Sequence, residues 1–284
     1  MNNNKYFLSY ATANDDNYFA ADCFNFINMI KYDPGVRNIL LFIAISEVQT
    51  FSSKQRKIFG LLINEIDKCS WITLKKILIK NNVGRDFSST KYCLKEISKT
   101  ANSNDYIMVR NRSGSGPFFK FWYKDYIVQF NKTKSMSIVG STINFSGHPN
   151  KKSSGINTHV QTYIYLSRWA YLKQIYSNYP GSSCTDRLEL INKGEIGLSK
   201  FFIEKGYDIS CLLWPNHIFN FNNSNSSDLP QKDIKKLVRN LPIIYRYKIK
   251  FRILKIALWK IYCFIYINSY KSNSITQKYR FYNN

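Results

Sequence analysis

The chain has 284 residues, and 44% of them are hydrophobic, so it can bury a sizeable core and global disorder is excluded. Lys and Arg number 41 against 18 acidic residues, a formal net charge of +23. This excess indicates an anionic partner or surface, or else a compositional bias without functional meaning. The six cysteines form no CxxC pair, which favours a reducing compartment and argues against a zinc site. Because neither a signal-peptide pattern nor a long apolar run is visible, we expect the chain to stay on the cytoplasmic side of the membrane.

The first half alternates apolar runs with helical patterns. Apolar runs predict strands at Tyr6–Tyr10, Asn38–Ser46, part of Trp71–Ile79, and Asp105–Val109. Helical spacing predicts helices at Phe19–Ile30, Lys54–Cys69 and Phe87–Ser98. This alternation predicts an α/β fold with a mainly parallel sheet and flanking helices.

The second half is less regular. The apolar patterns predict strands at Ser137–Ile143 and Tyr207–Trp214, and helices at Val160–Tyr176 and Gly194–Lys205. We therefore expect one domain over residues 1–215, followed by an Asn/Ser-rich linker at residues 216–231.

The C-terminal segment, residues 232–284, has its own composition. It holds 13 Lys and Arg and one acidic residue, Asp233. Within it, Ile253–Ile267 is strongly apolar and interrupted only by Lys255 and Lys260. Apolar and aromatic residues interspersed with lysines predict a helix on an anionic membrane surface, and the alternative is a helix packed on the domain. No nucleic-acid-binding motif accompanies the charge, so we expect no nucleic-acid partner.

Polar segments follow three of the predicted strands, where ligands bind in open parallel sheets. These segments are Thr12–Asn17, Asn81–Asp86 and Asn111–Pro117. In the last of them, Gly114 and Gly116 permit close backbone approach to a diphosphate, and Arg110 or Arg112 can pair with phosphate. The same residue types also occur in ordinary turns.

Two further candidates lie in the second half. Glu195 is at the start of a predicted helix, where the helix dipole stabilises a carboxylate whether or not it has a chemical role. His159 and Gln161 flank the apolar Val160, and the pair faces either a cleft or a solvated loop edge.

Five segments in this order resemble a family of bacterial polysaccharide glycosyltransferases, the rhamnan-synthesis-type proteins of capsule and lipopolysaccharide clusters. The segments are Asn82–Ser88, Asp105–Phe118, Ile138–Asn144, His159–Thr162 and Glu195–Leu213. The resemblance spans roughly residues 5–215 and does not cover the tail.

The resemblance implies a GT-A-like, Rossmann-type fold that binds a nucleotide sugar through strand-end loops. It implies donor-binding roles for Tyr10, Thr12, Arg85, Asp86, Asn111, Arg112 and Ser113, with the first two near the base and ribose. It implies acceptor-binding roles for His159 and Gln161, and Glu195 resembles the catalytic base of inverting enzymes.

One departure from the family pattern concerns the metal. Asn111–Arg112–Ser113 stands where many such enzymes carry an Asp-x-Asp motif, and neither Asn111 nor Ser113 is a carboxylate. Either Asp86, Asn111 and Ser113 hold Mg²⁺ or Mn²⁺, or Arg85 and Arg112 neutralise the diphosphate, or the activity is lost.

The resulting expectation is a glycosyltransferase of surface polysaccharide synthesis, peripheral to the inner membrane and inverting. Its donor is a nucleotide sugar, and its acceptor is a lipid-linked or oligosaccharide glycan. The alternative is a non-catalytic protein that binds glycans or anionic membranes on a degenerate scaffold of the same kind.

Overall fold

The structure is a computed structural model that describes residues 4–15, 19–145 and 157–223, together with residues 246–247, 257–258, 261 and 282–283. The strands are β1 Tyr6–Ala13, β2 Ile39–Glu47, β3 Ile72–Asn81, β4 Tyr106–Asn111, β5 Gly114–Ser115, β6 Met136–Gly140, β7 Ile143–Asn144, β8 His159–Val160, β9 Ile164–Arg168, β10 Asp208–Cys211, β11 Ile218–Phe219, β12 Arg246–Tyr247 and β13 Tyr282–Asn283. The α-helices are α1 Ala20–Lys31, α2 Ser53–Asp67, α3 Arg85–Ile97, α4 Lys124–Phe130, α5 Trp169–Leu172, α6 Arg187–Glu189 and α7 Gly197–Glu204. A 3₁₀ turn, Tyr176–Asn178, precedes α6, and a π-helix, Leu190–Ile196, joins α6 to α7.

The main sheet of the described residues has nine strands in the order β11–β10–β6–β9–β4–β1–β2–β3–β13. Strand β1 lies parallel to both β2 and β4, and β3 continues the parallel arrangement beyond β2. Strand β9 is antiparallel to both its neighbours, β4 and β6. The mainly parallel α/β sheet predicted from the sequence is therefore confirmed.

Helices cover both faces of the sheet, and each face has its own hydrophobic core. Helices α1, α2 and α4 contribute to one core, and α3, α5 and α7 contribute to the other. Leu41 and Ile43 of β2 belong to the first core, whereas Phe42 between them belongs to the second. This alternation explains why the central strands read as continuous apolar runs in the sequence.

Most predicted elements of the first half are confirmed with small boundary shifts. Helix α2 begins where the sequence carries a capping box: Ser52 Oγ accepts a hydrogen bond from the Gln55 amide at 3.1 Å, and the Gln55 side chain accepts one from the Ser52 amide at 3.0 Å. These paired bonds satisfy backbone donors that a helix start otherwise leaves open.

The helix predicted at Val160–Tyr176 is wrong. Residues 164–168 form β9, and only the four residues of α5 in this range are α-helical. Ile164 and Leu166 pack into one core and Tyr165 into the other, so the strand is apolar on both sides. An apolar run of this kind has no alternation that would distinguish it from a buried helix.

Part of the segment predicted to be a linker pairs with the main sheet. Residues 218–219 form β11, which pairs with β10 at the edge of the main sheet, although the prediction placed them in a linker. Further along the chain, β12 pairs with β5 and β13 pairs with β3. The predicted tail thus returns to the domain twice, and most of Ile253–Ile267 lies outside the described residues. Among the helices that the structure describes, none has the length and apolarity needed to cross a membrane.

Candidate functional site

A cleft of about 310 Å³ opens at the carboxyl ends of β1, β2 and β4. The parallel register places Ala11 of β1 beside Asn111 of β4, and Ala13 beside Ser46 of β2, so the residues that follow these strands meet at one edge. The cleft is lined by Ala11, Thr12, Ala13, Ser46, Val48, Asn82, Arg85, Asp86, Asn111, Arg112 and Ser113. Six of the seven residues that the resemblance assigned to the donor therefore lie together here.

The start of α3 has an unusual backbone. Gly84 and Arg85 both adopt left-handed conformations, with φ of 67° and 47°. A Cβ atom on Gly84 would lie 2.0 Å from the carbonyl oxygen of Ser182, so this turn needs a glycine. The Arg85 carbonyl accepts hydrogen bonds from the hydroxyls of Ser46 and Ser89, at 3.3 and 3.1 Å. These contacts hold the strained turn in place, with the Arg85 side chain exposed at the cleft rim.

Asp86 and Asn111 connect α3 to β4 across the cleft floor. The Asn111 amide nitrogen donates a hydrogen bond to Asp86 Oδ2, and the Asn111 amide oxygen accepts one from the Ser113 backbone at 2.9 Å. Because the oxygen is occupied by a backbone donor, the amide orientation is fixed at both ends. Burial raises the pKa of Asp86, and the hydrogen bond from Asn111 opposes that rise.

Arg112 lies on the β1 side of the cleft and is already paired. Its guanidinium contacts Asp15 Oδ2 at 2.7 Å and donates to the Ala13 carbonyl at 3.0 Å. Burial would lower the pKa of Arg112, but the charges of Asp22 and Asp15 outweigh it and raise that pKa. The sequence could not reveal this pairing, because Asp15 and Arg112 are far apart in the chain.

Glu195 lies in the π-helix and outside the cleft lining, near enough to Asp86 for the charge of Asp86 to act on it. Gly194, its neighbour, packs directly on Phe87, and a Cβ atom there would lie 2.7 Å from the ring. The glycine therefore lets the π-helix close on the start of α3, next to Asp86. A π-helix is a rare element that occurs frequently at functional sites.

The environment of Glu195 suits proton transfer. Burial and then the nearby charge of Asp86 raise its pKa to about 7, and Arg187 opposes the shift. A carboxylate with a pKa near neutrality can accept a proton and still be ionised often enough to act as a base. Such perturbed carboxylates concentrate at functional sites.

Lys80, at the end of β3, is a residue that the sequence reasoning missed. Its side chain is buried and its ammonium donates to the carbonyls of Asn81 and Val83, at 2.6 and 3.0 Å. Burial lowers its pKa to about 8, and the charge of Asp86 opposes the shift. The signal in the sequence that could have identified Lys80 is its position at the end of the apolar run that forms β3.

The residues proposed as metal ligands do not converge on one point. Asn111 turns its amide nitrogen, not its oxygen, toward the Asp86 carboxylate, and its oxygen faces the Ser113 amide. The described residues also contain no cluster of three His, Cys, Asp or Glu side chains suited to a metal. One carboxylate that already accepts a hydrogen bond does not fit the oxygen-rich shell that Mg²⁺ prefers.

Four of the residues named from the resemblance, Tyr10, His159, Gln161 and Glu195, are not among those that line the cleft. Tyr10 is fully buried beneath it, where its hydroxyl donates to Asp22 Oδ1 at 2.9 Å. His159 is 2% exposed, and burial lowers its pKa. The Gln161 side chain accepts a hydrogen bond from the Thr142 hydroxyl at 3.0 Å, beside the β7–β8 pair.

Comparison with solved structures identifies the fold. The chain aligns with the apo structure of the bifunctional glycosyltransferase WbbM at a TM-score of 0.51 and 10% identity, covering 93% of this chain and 52% of that one. An active-site mutant of LgtC aligns at a TM-score of 0.44 and 9% identity, over 90% of this chain and 95% of that one. 4-Diphosphocytidyl-2C-methyl-D-erythritol synthase aligns at 0.39 and 11% identity, over 82% and 98%.

The chain thus spans about half the length of WbbM, with 52% of that protein aligned. No protein-family model matches the sequence, and the search of curated proteins finds no match. The rhamnan-synthesis-type family is therefore not confirmed. The structural likeness establishes that the chain has a GT-A-like α/β fold.

Proposed function

We propose that this protein is a glycosyltransferase that binds a nucleotide sugar in the strand-end cleft and transfers the sugar to an acceptor hydroxyl. The observation that carries the proposal is Glu195, a carboxylate whose pKa is raised to about 7 by burial and by the charge of the cleft residue Asp86. The fold supports it, since ligands of open α/β sheets bind at this edge.

The proposed reaction is a single displacement. The acceptor oxygen forms a bond to the anomeric carbon while the bond from that carbon to the diphosphate oxygen breaks. The acceptor proton passes to Glu195, and the diphosphate leaves with the bonding electron pair. One displacement inverts the configuration at the anomeric carbon.

Arg85 is the group that we propose for the leaving diphosphate. It is exposed at the cleft rim, whereas Arg112 is already paired with Asp15. A cation placed beside the developing negative charge stabilises the transition state. Because the residues predicted as metal ligands do not converge, we expect transfer to continue within about twofold when divalent cations are chelated. Loss of turnover in EDTA, with recovery on adding Mn²⁺, would instead reveal a metal site.

The decisive experiment separates donor binding from turnover. Calorimetry against a panel of nucleotide sugars identifies the donor, and transfer is then measured for Glu195→Gln. We expect donor affinity to stay within about twofold and turnover to fall about 10²–10⁴-fold. Glu189→Gln is the matched control, because Glu189 lies six residues earlier and contacts only Lys193 among the described charged groups. Undiminished turnover in Glu195→Gln removes that residue from the mechanism.

A non-catalytic binding protein on the same scaffold is the second candidate. It is favoured by the Asn111–Asp86 hydrogen bond, because the resemblance places the Asp-x-Asp metal motif at Asn111–Arg112–Ser113. Donor binding without transfer to any acceptor would support this candidate, whereas no donor binding at all would exclude both functions for the cleft.

We further propose that the tail holds the protein on the anionic inner face of a bacterial inner membrane, near a lipid-linked acceptor. Leu258 and Ile261, in the apolar segment of the tail, are 57% and 56% exposed. Deleting the tail is a poor test because it removes β12 and β13 from their partners. Lys255→Gln with Lys260→Gln should instead weaken binding to anionic vesicles about tenfold, with Lys57→Gln as control. If the double variant floats with the vesicles as the parent protein does, the membrane contact lies elsewhere in the chain.

A further inference from the structure

We propose that a second cavity, beside α3, binds a saccharide that carries a phosphate or carboxylate group. The cavity has a volume of about 580 Å³ and is enclosed by α3, the end of β3, the 3₁₀ turn and the loop before α6. It shares no lining residue with the strand-end cleft. Its size falls in the range of small-molecule sites.

Two lysines give the cavity its charge. Lys91 and Lys95 are one helical turn apart on α3, so their side chains lie on the same face and both line the cavity. No carboxylate is among the lining residues. The nearest acid on this helix, Glu96, is already paired with Lys76 and Lys99, at 2.9 and 2.8 Å. Within the described part of the chain, neither cavity lysine has a carboxylate partner, and an anionic ligand would supply one.

Two tyrosines and several hydroxyls indicate that the ligand is a saccharide. Tyr92 and Tyr176 line the cavity together with four serines. The Tyr176 ring is supported from behind by Trp169, with ring centroids 5.2 Å apart. Aromatic faces accept the apolar faces of sugar rings, and hydroxyls pair with sugar hydroxyls, whereas a bare inorganic anion needs neither.

A single turn, residues 81–84, separates the cavity from the cleft. Asn82 lines the cleft, while its neighbours Asn81 and Val83 line the cavity. The Gly84 amide donates to the Cys184 carbonyl at 3.0 Å, which ties this turn to the loop on the other side of the cavity. If the cleft is a transferase site, the cavity would hold an anionic portion of the acceptor one turn away. That last step rests on the proposed function, and the binding itself does not.

The experiment measures binding directly, by calorimetry on the full chain with glucose 1-phosphate, glucuronate, glucose and inorganic phosphate. We expect the two charged sugars to bind at least tenfold more tightly than glucose. Lys91→Gln and Lys95→Gln should each weaken them about tenfold, since each removes one charge-assisted contact. Lys124→Gln is the matched control, because Lys124 lines another cavity of about 580 Å³ at the opposite edge of the sheet.

A second variant separates saccharide from anion recognition. Tyr176→Ala should weaken the charged sugars and leave any binding of inorganic phosphate unchanged. Inorganic phosphate binding as tightly as the sugars would mean an adventitious anion only and would overturn the proposal. So would equal losses in Lys124→Gln, or displacement of the sugars by uridine diphosphate, which would place them in the cleft. Glu195→Gln should bind the sugars normally, so this result is independent of whether the cleft is catalytic.

Discussion

The two sides of the strand-end cleft differ in how their charges are balanced. On the strand side, Arg112 is paired with Asp15 and the Asn111 side chain is engaged at both ends. On the helix side, Asp86 lines the cleft, and its charge adds to the effect of burial in raising the pKa of Glu195. The charged groups are therefore paired on the strand side of the cleft, whereas on the helix side the charge of one carboxylate acts on a second carboxylate.

This difference indicates which residues hold the backbone in position and which take part in the proposed reaction. Paired charges keep the backbone in place. They add little to the binding free energy of a ligand, because the existing contacts must be broken before the ligand can bind. Burial and the charge of Asp86 make the ionised form of Glu195 unfavourable, so this carboxylate takes up a proton more readily than an exposed one. We therefore expect substitutions on the helix side to change turnover, and those on the strand side to change little beyond stability.

The largest effect should follow from moving Glu195 without changing it. Gly194→Ala places a methyl group against Phe87, which is 3% exposed and cannot move freely. We expect turnover to fall about 100-fold, because a displacement of about 1 Å in a reacting group has that effect. Overpacking should also lower the free energy of unfolding by about 1–3 kcal/mol.

Gly197→Ala is the control for this change. A Cβ atom on Gly197 would meet nothing closer than an Asn192 carbonyl oxygen at 3.4 Å, so the methyl group fits. Rate and unfolding free energy are measured for both variants at the same pH. Equal turnover in the two would show that the close approach of the π-helix does not matter for catalysis.

The pH dependence of transfer tests the second feature of the helix side. A base with a pKa of about 7 must be deprotonated to act, so the rate should fall about tenfold per pH unit below that value. Asp86→Asn removes the charge that contributes to the raised pKa of Glu195. Since burial is the larger cause, the acidic limb should move to lower pH by up to about one unit and not return to the ordinary glutamate value.

The position of that limb, not the rate itself, is the measurement, because Asp86 also lines the cleft. Asp125→Asn is a suitable control, since Asp125 lies on α4, away from the lining residues. A limb that stays in place in Asp86→Asn would show that burial alone sets the pKa of Glu195.

The sequence predicts those parts of the fold and of the site that depend on short, local patterns of residues. The β1–β4 half follows from apolar runs and helical spacing, and the polar segments after β1, β3 and β4 are recognisable because parallel strands end at one edge. Strand β9 could not be predicted in this way. Ile164, Tyr165 and Leu166 are apolar on both faces of the sheet, so the sequence pattern of the buried strand coincides with that of a buried helix.

The proximity of Asp86 and Glu195 could not be predicted from local sequence patterns either. Asp86 and Glu195 are far apart in sequence, and Gly194 and Gly181 permit the close packing around Phe87 that brings the π-helix to the start of α3. A resemblance to a family named both carboxylates, but it could not show that they influence each other. Nor could it show that Arg112 is engaged by Asp15.

A smaller effect on stability follows from the raised pKa of Glu195. Its pKa rises from 4.5 to about 7 on folding, so the folded state favours the protonated form. Stability from this group is therefore fully present below the unfolded pKa and is lost as the pH rises toward 7. Glu195→Gln should be more stable than the parent by about 1–2 kcal/mol at pH 8, allowing for partial exposure, and equally stable at pH 4. Urea unfolding at the two pH values measures this, with Glu189→Gln expected to show no such pH-dependent gain.

The smallest effects should come from the strand side, where Arg112 can be compared with Arg85 of the helix side. Both guanidinium groups line the cleft, but only Arg112 has an Asp15 partner at 2.7 Å, and that pair is about one quarter exposed, at 27% and 26%. Arg112→Gln should change donor affinity less than threefold, whereas Arg85→Gln should weaken it about tenfold, the usual size of one charge-assisted contact. A double-mutant cycle with Asp15→Asn should give a coupling of about 0.5–1 kcal/mol in unfolding free energy. If Arg112→Gln instead weakens the donor as much as Arg85→Gln does, then Arg112 leaves Asp15 when the donor binds, and the strand side takes part in recognition.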